Sequence, residues 1–126
     1  MATFDDVARV ASSLPETVES PPRSWRVRSK LIAWERPLRK ADHAALGAAA
    51  PDGDILGAQV PDEGVKHALI ATDPDVYFTT PHFDGYPIVL VRLEAIDVQE
   101  LEELVTEAWL ARAPAKLVKA FLSNRE

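Results

Sequence analysis

Ser24-Trp25-Arg26-Val27-Arg28-Ser29-Lys30-Leu31-Ile32-Ala33-Trp34-Glu35-Arg36 is the stretch on which the fold turns. Its β-branched and aromatic residues recur at every second position. That period places alternate side chains on one face of a pleated strand. A two-residue turn at Ser29-Lys30 sets Val27 opposite Ile32 and Trp25 opposite Trp34, all four on one face. Arg26, Arg28, Leu31 and Ala33 then occupy the other. Aromatic cross-strand pairs stabilise such a hairpin by up to ~1 kcal/mol. A tight hairpin turn favours glycine or asparagine at positive φ, and Ser-Lys supplies neither. A longer or bulged turn would shift this register.

Further strands are predicted at Ile55 to Val60, Val76 to Thr79 and Ile88 to Leu93, the last the most apolar and placed centrally in the sheet. Thr3 opens the first helix, with Asp6 three residues on and Phe4, Val7, Ala8 and Ala11 as its buried stripe. Leu14-Pro15 ends it, since proline disfavours helical geometry in the residue before it. A short helix is expected from Asp42 to Leu46. Asp62 caps another, with Val65, Ala68 and Leu69 facing inward. Asp97 and Glu100 make a capping-box-like pair, stapled by Ile96 and Leu101, ahead of a helix over 98–112. Leu101, Leu104, Val105, Ala108 and Trp109 form its stripe. Pro114 opens a last helix in which Leu117, Val118, Phe121 and Leu122 pack. The predicted core is Phe4, Val7, Trp34, Val89, Val91, Leu101, Leu104, Val105 and Phe121. These elements make a single α+β domain over residues 1–126.

The chain has 126 residues, 47% hydrophobic and 27% charged, and no cysteine. One core of ordinary size follows, while disulfides and every thiolate chemistry are excluded. The acidic N-terminus lacks the order of a signal peptide, and no apolar run is long enough for a bilayer span. The expected setting is the cytoplasm, with no membrane partner and a monomeric chain.

Charge is uneven. Net charge is −6, yet residues 23–40 hold seven bases (Arg23, Arg26, Arg28, Lys30, Arg36, Arg39 and Lys40) against one acid, Glu35, or +6. The other 108 residues hold seven bases and 19 acids, or −12. Arginine forks suit phosphate oxygens, so this segment is a candidate nucleic-acid or anion site. A solvated strand face paired with acids elsewhere is the structural alternative.

Trp25 and Trp34 could stack on bases, or pack in the core. Thr79, Thr80, His82 and Tyr86 crowd one loop and are candidate pocket residues, although Asp84-Gly85 within it is a turn signal in its own right. His43, His67 and His82 lie far apart without metal-ligand spacing. No nucleophile–base pair, phosphate loop or cofactor fingerprint is legible, so no enzyme activity and no cofactor is expected.

Taken in order, the hairpin 24–30, Trp34-Glu35-Arg36-Pro37-Leu38, Phe78-Thr79-Thr80-Pro81-His82-Phe83, Gly85 through Leu93, and Glu107-Ala108-Trp109-Leu110 resemble the MmcQ/YjbR family. The resemblance implies a curved antiparallel sheet of double-wing type with helices at both ends of the chain. The family's name also implies DNA binding, here through residues 23–40. It transfers no catalytic residue. A small-molecule or peptide site at the 79–87 loop, and a protein-interaction adaptor, stand beside it. The chain departs from its relatives at Ser29, where they often place glycine.

Overall fold

The computed structural model describes residues 1–124. In chain order the elements are α1 (Phe4–Ser12), β1 (Thr17–Glu19), β2 (Ser24–Val27), β3 (Lys30–Glu35), α2 (Lys40–Leu46), β4 (Ile55–Gln59), α3 (Glu63–Thr72), β5 (Tyr77–Phe78), β6 (Ile88–Arg92), α4 (Val98–Arg112) and α5 (Ala115–Ser123). The six strands form one antiparallel sheet in the order β1-β2-β3-β4-β6-β5. This is the expected α+β class. Strand β6 is interior but stands one place in from the edge; the central pair is β3 and β4. Strand β1 was not legible in the sequence. No helix among the described residues is long and apolar enough to cross a membrane.

Local signals set the helix starts. Thr3 and Asp6 close a full capping box: the Asp6 N–H donates to Thr3 Oγ1 at 3.2 Å and the Thr3 N–H donates to Asp6 Oδ2 at 2.9 Å. Asp97 caps α4 by accepting from the Gln99 N–H at 3.3 Å. Glu100 does not complete the expected box; it turns away to accept the Tyr77 hydroxyl. Ile96 and Leu101 are both fully buried, as a staple requires. The Trp109 indole N–H donates to the Pro15 carbonyl at 3.0 Å and ties α4 to the end of α1.

The hairpin forms, with a different turn. Arg28 and Ser29 are its central residues, at φ 45° and 69°. Such left-handed geometry matches the twist of the strands, and Ser29 accepts the conformation that glycine adopts without strain. Val27 therefore pairs with Lys30 and Arg26 with Leu31. A bulge follows, so Trp25 pairs with Ala33 and Ser24 with Trp34. Ile32 is the extra residue, and both Ile32 and Ala33 enter the main core. The one-residue slip sends Trp34 to the face opposite Trp25.

The sheet consequently has two unlike faces. One is covered by α1 and α4, with Trp25, Ala33, Ala58 and Val89 in a cross-strand row beneath them. The other carries the row Trp34, Gly57, Leu90 and Phe78, joined by Ile55 and Phe83 into a smaller cluster. Gly57 is required here by close approach: a Cβ would lie 2.6 Å from Trp34 Cε2.

Of the predicted core, Phe4, Val7, Val89, Val91, Leu101, Leu104 and Val105 are buried. Trp34 is only half-buried, for the reason of register just given. Phe121 is half-buried too, tilted against Trp109 at 4.8 Å between ring centroids, and Leu122 faces solvent. In α3 the expected inward residues Val65 and Ala68 are exposed; the buried side chain is Lys66, 2% exposed.

Gly57→Ala should force the Trp34 ring off the sheet and cost about 1–3 kcal/mol in urea melts. Adding Trp34→Ala to that variant should recover part of the loss, because the clash goes with the ring. Equal stability of wild type and Gly57→Ala would contradict the contact.

Candidate functional site

Four polar or charged side chains are buried among the described residues: Arg36, Asp42, Lys66 and Thr80. All four bear on the 79–87 loop or on the segment facing it. A buried charge is costly unless paired, so each needs a partner.

The Lys66 ammonium reaches from α3 to two carbonyl oxygens of the loop, Phe83 O at 2.7 Å and Tyr86 O at 3.0 Å. Arg36 follows β3, and its N–H donates to Ile55 O at 2.9 Å, continuing the ladder. Its guanidinium lies over the Phe83 ring at 5.2 Å and donates through Nη1 to Pro37 O. Nη2 meets Asp42 Oδ2 at 3.0 Å, as a charge contact rather than an aligned hydrogen bond. Asp42 stands in the first turn of α2 and accepts the Arg39 N–H at 2.8 Å. Burial pushes the Asp42 carboxyl up. The Arg39 N–H, the Arg36 charge and the Thr80 hydroxyl outweigh it and hold the group below its ordinary value of 3.8.

An open groove of about 400 Å³ lies beside this cluster. Leu31, Trp34, Pro37, Leu38 and Phe83 supply its apolar lining above the buried Arg36, and Arg39, His82 and Glu35, the last paired with Arg23, supply its polar side. His82 stands edge-on to Phe83 at 4.8 Å between ring centroids.

The seven bases of residues 23–40 meet different partners. Arg23 pairs with Glu35 at 3.0 Å and lies over the Phe4 ring at 4.6 Å. Arg28 makes a two-point bond to Glu16, at 2.7 and 3.0 Å. Arg36 is buried on Asp42. Arg26 donates to the carbonyls of Ser20 and Ser29, each at 3.3 Å. Lys30, Arg39 and Lys40 are exposed, and their side chains make no ion pair with a described residue. Three of the seven charges are thus met by acids.

The loop candidates separate as well. His82 lines the groove. Thr80 is buried beside Asp42, Thr79 donates to Thr80 O at 3.4 Å, and the Tyr86 ring points to solvent, 57% exposed. Trp25 is core and Trp34 is the groove tryptophan. Among the described residues no three His, Asp or Glu side chains gather as metal ligands.

The YjbR family model matches residues 12–111. The chain belongs to the YjbR family. Uncharacterized proteins of Mycobacterium tuberculosis and Mycobacterium bovis are 65% identical to this YjbR chain over 127 residues, covering 98% of it and 98% of each relative. A crystal structure of the Deinococcus radiodurans protein DR2400, with a DUF419 domain, shares the fold at a TM-score of 0.65 and 19% identity, over 98% of this chain and 88% of that one.

Sequence reasoning missed Lys66 as an anchor and Arg36 as a buried ion-pair partner. The one available signal was local: Asp42 three residues after Arg39 at a helix start.

Asp42→Asn leaves the buried Arg36 charge unmatched and should cost about 3–5 kcal/mol at neutral pH. Because the folded carboxyl titrates below the unfolded one, its contribution is complete above the ordinary value and fades as pH falls through the folded value. The stability gap between wild type and variant should therefore narrow in acid-to-neutral urea melts as pH drops below about 4. A gap constant with pH would refute the ion-pair role.

Proposed function

We propose that this YjbR chain is a non-catalytic cytoplasmic binding module whose groove takes a small anion with a flat apolar portion. The observation that carries the reading is the junction of a half-exposed indole, Trp34, with the unpaired guanidinium of Arg39 and the imidazole of His82. A planar group gains by stacking on Trp34, while Arg39 offers a fork to a carboxylate or phosphate. Arg36 supports the site from below, its own charge engaged by Asp42. His82 has no orienting carboxylate among its hydrogen bonds, and the groove is open to water. Both features suit binding better than proton transfer.

Nucleic acid is the second reading, favoured by the adjacent exposed pair Arg39 and Lys40 together with Lys30. It shifts the contact from the hairpin to the loop after β3, since Arg28 and Arg23 are engaged by glutamates. Salt would weaken such binding steeply.

Trp25 and Trp109 are buried, so fluorescence quenching by an added ligand reports Trp34. Titration with phenyl phosphate and benzoate should quench it, and Arg39→Gln should weaken the interaction about tenfold. Arg26→Gln with Arg28→Gln should leave it unchanged. Absence of quenching by either anion would sink the groove reading. Duplex DNA binding that survives Arg39→Gln but is lost with Arg26→Gln and Arg28→Gln would return the site to the hairpin.

A further inference from the structure

Helix α3 keeps Leu69 and Ile70 on the core but breaks its hydrophobic pattern one turn earlier. Lys66 is buried to hold the loop, and Val65 is left 36% exposed. A local conflict of this kind points to a use for the exposed face. That face is concave. Val65 and Leu69 of α3, with Val60 and Leu104, wall a cleft of about 310 Å³ between α3 and α4. Its opposite rim is the side of α4 carrying Glu100, Glu103 and Glu107.

These three carboxylates stand three and four residues apart, hence on one helix face. None forms an ion pair with a described residue. Glu100 is fixed from below by the hydroxyl of Tyr77, a residue buried in the core. Burial, then the hydrogen bond to Glu100 and its charge, pushes the Tyr77 phenol far above its ordinary value, so it stays a donor. The carboxylates do not converge as metal ligands would. A divalent ion is therefore poorly matched. A single ammonium needs only one carboxylate in contact and the field of the others.

We propose that the cleft between α3 and α4 binds a small primary amine with an apolar chain, its ammonium at Glu100, Glu103 and Glu107 and its chain on Val65, Leu69 and Leu104. The site is separate from the groove beside Trp34, and of opposite charge. It accepts cations where the groove accepts anions.

The test uses the full chain labelled with nitrogen-15 and three probes of one size: hexylamine, hexanol and hexanoate, each raised to about 10 mM. Hexylamine should shift amides of residues 63–69 and 100–107. Hexanol should do so more weakly, and hexanoate not at all. Glu103→Gln with Glu107→Gln should lower hexylamine affinity by about threefold per carboxylate while hexanol is unaffected. Added salt should act in the same direction on the amine alone. Val65→Ser should weaken amine and alcohol together, and unchanged spectral dispersion shows that each variant is folded. Equal affinity for amine and alcohol overturns the proposal, as does the absence of shifts in these two segments. A lysine-containing tripeptide that shifts them where hexylamine does not would make the cleft a peptide site and overturn it too.

Discussion

One buried ammonium group decides how the second face of the sheet is finished. Lys66 leaves a helix, crosses an apolar interior and ends on the carbonyl oxygens of Phe83 and Tyr86. Taking that charge out of water costs several kcal/mol before its partners are counted. The return is positional: a loop of nine residues, with little apolar surface of its own, is held at two points. Phe83 is thereby set against Ile55, Leu90 and Phe78, and under it the Arg36–Asp42 pair joins the end of β3 to the start of α2. On the other face no such device is needed. Long apolar stripes from α1 and α4 cover it mainly by hydrophobic burial, with the Trp109 indole N–H on the Pro15 carbonyl as a polar tie.

The same anchor explains two surfaces that appear unrelated. Pinning the loop brings His82 beside Trp34 and Arg39 and so creates the groove. Delivering Lys66 from α3 leaves Val65 outward and creates the cleft. The charges then divide. Glu16, Glu35 and Asp42 engage three of the seven clustered bases, which leaves Arg26, Lys30, Arg39 and Lys40 without an acid among the described residues. Along α4 the acids keep no such partners among the described residues beyond the Arg9–Glu102 contact at 3.4 Å.

Much of the fold was legible because its signals are local. Thr3 with Asp6, the staple of Ile96 on Leu101, and the stripe from Leu101 to Trp109 fix helices without any knowledge of the rest. The family resemblance over the hairpin and the 78–93 stretch agreed with the antiparallel sheet that the strand patterns indicate. What the sequence hid was tertiary. Trp34 changes face because the turn forms at Arg28-Ser29 and a bulge follows, a slip that period-two patterning cannot foresee. Lys66 reads as solvent-facing because its two carbonyl partners lie 17 and 20 residues away. Arg36 reads as one more base in a basic run, since only the fold brings Phe83 over it. The candidate site suffered most, because it is made where Trp34 and Arg36 meet the loop that Lys66 holds. His82 and Arg39 were both named in advance, on separate grounds; nothing in their spacing placed them on one groove.

The central claim is that the loop is held by Lys66 and the sheet is not. Lys66→Met keeps the volume and removes the donor, so that Phe83 O keeps only the Tyr86 N–H and Tyr86 O only the Ile88 N–H. Amide hydrogen exchange, residue by residue, measures the consequence. The Phe83, Asp84 and Tyr86 amides, each bonded within the loop, should exchange about 10- to 100-fold faster in the variant. Leu56, Gly57 and Leu90 in β4 and β6 should keep their protection relative to the other strands. Unchanged exchange in the loop, or protection lost evenly from loop and sheet, would contradict the account.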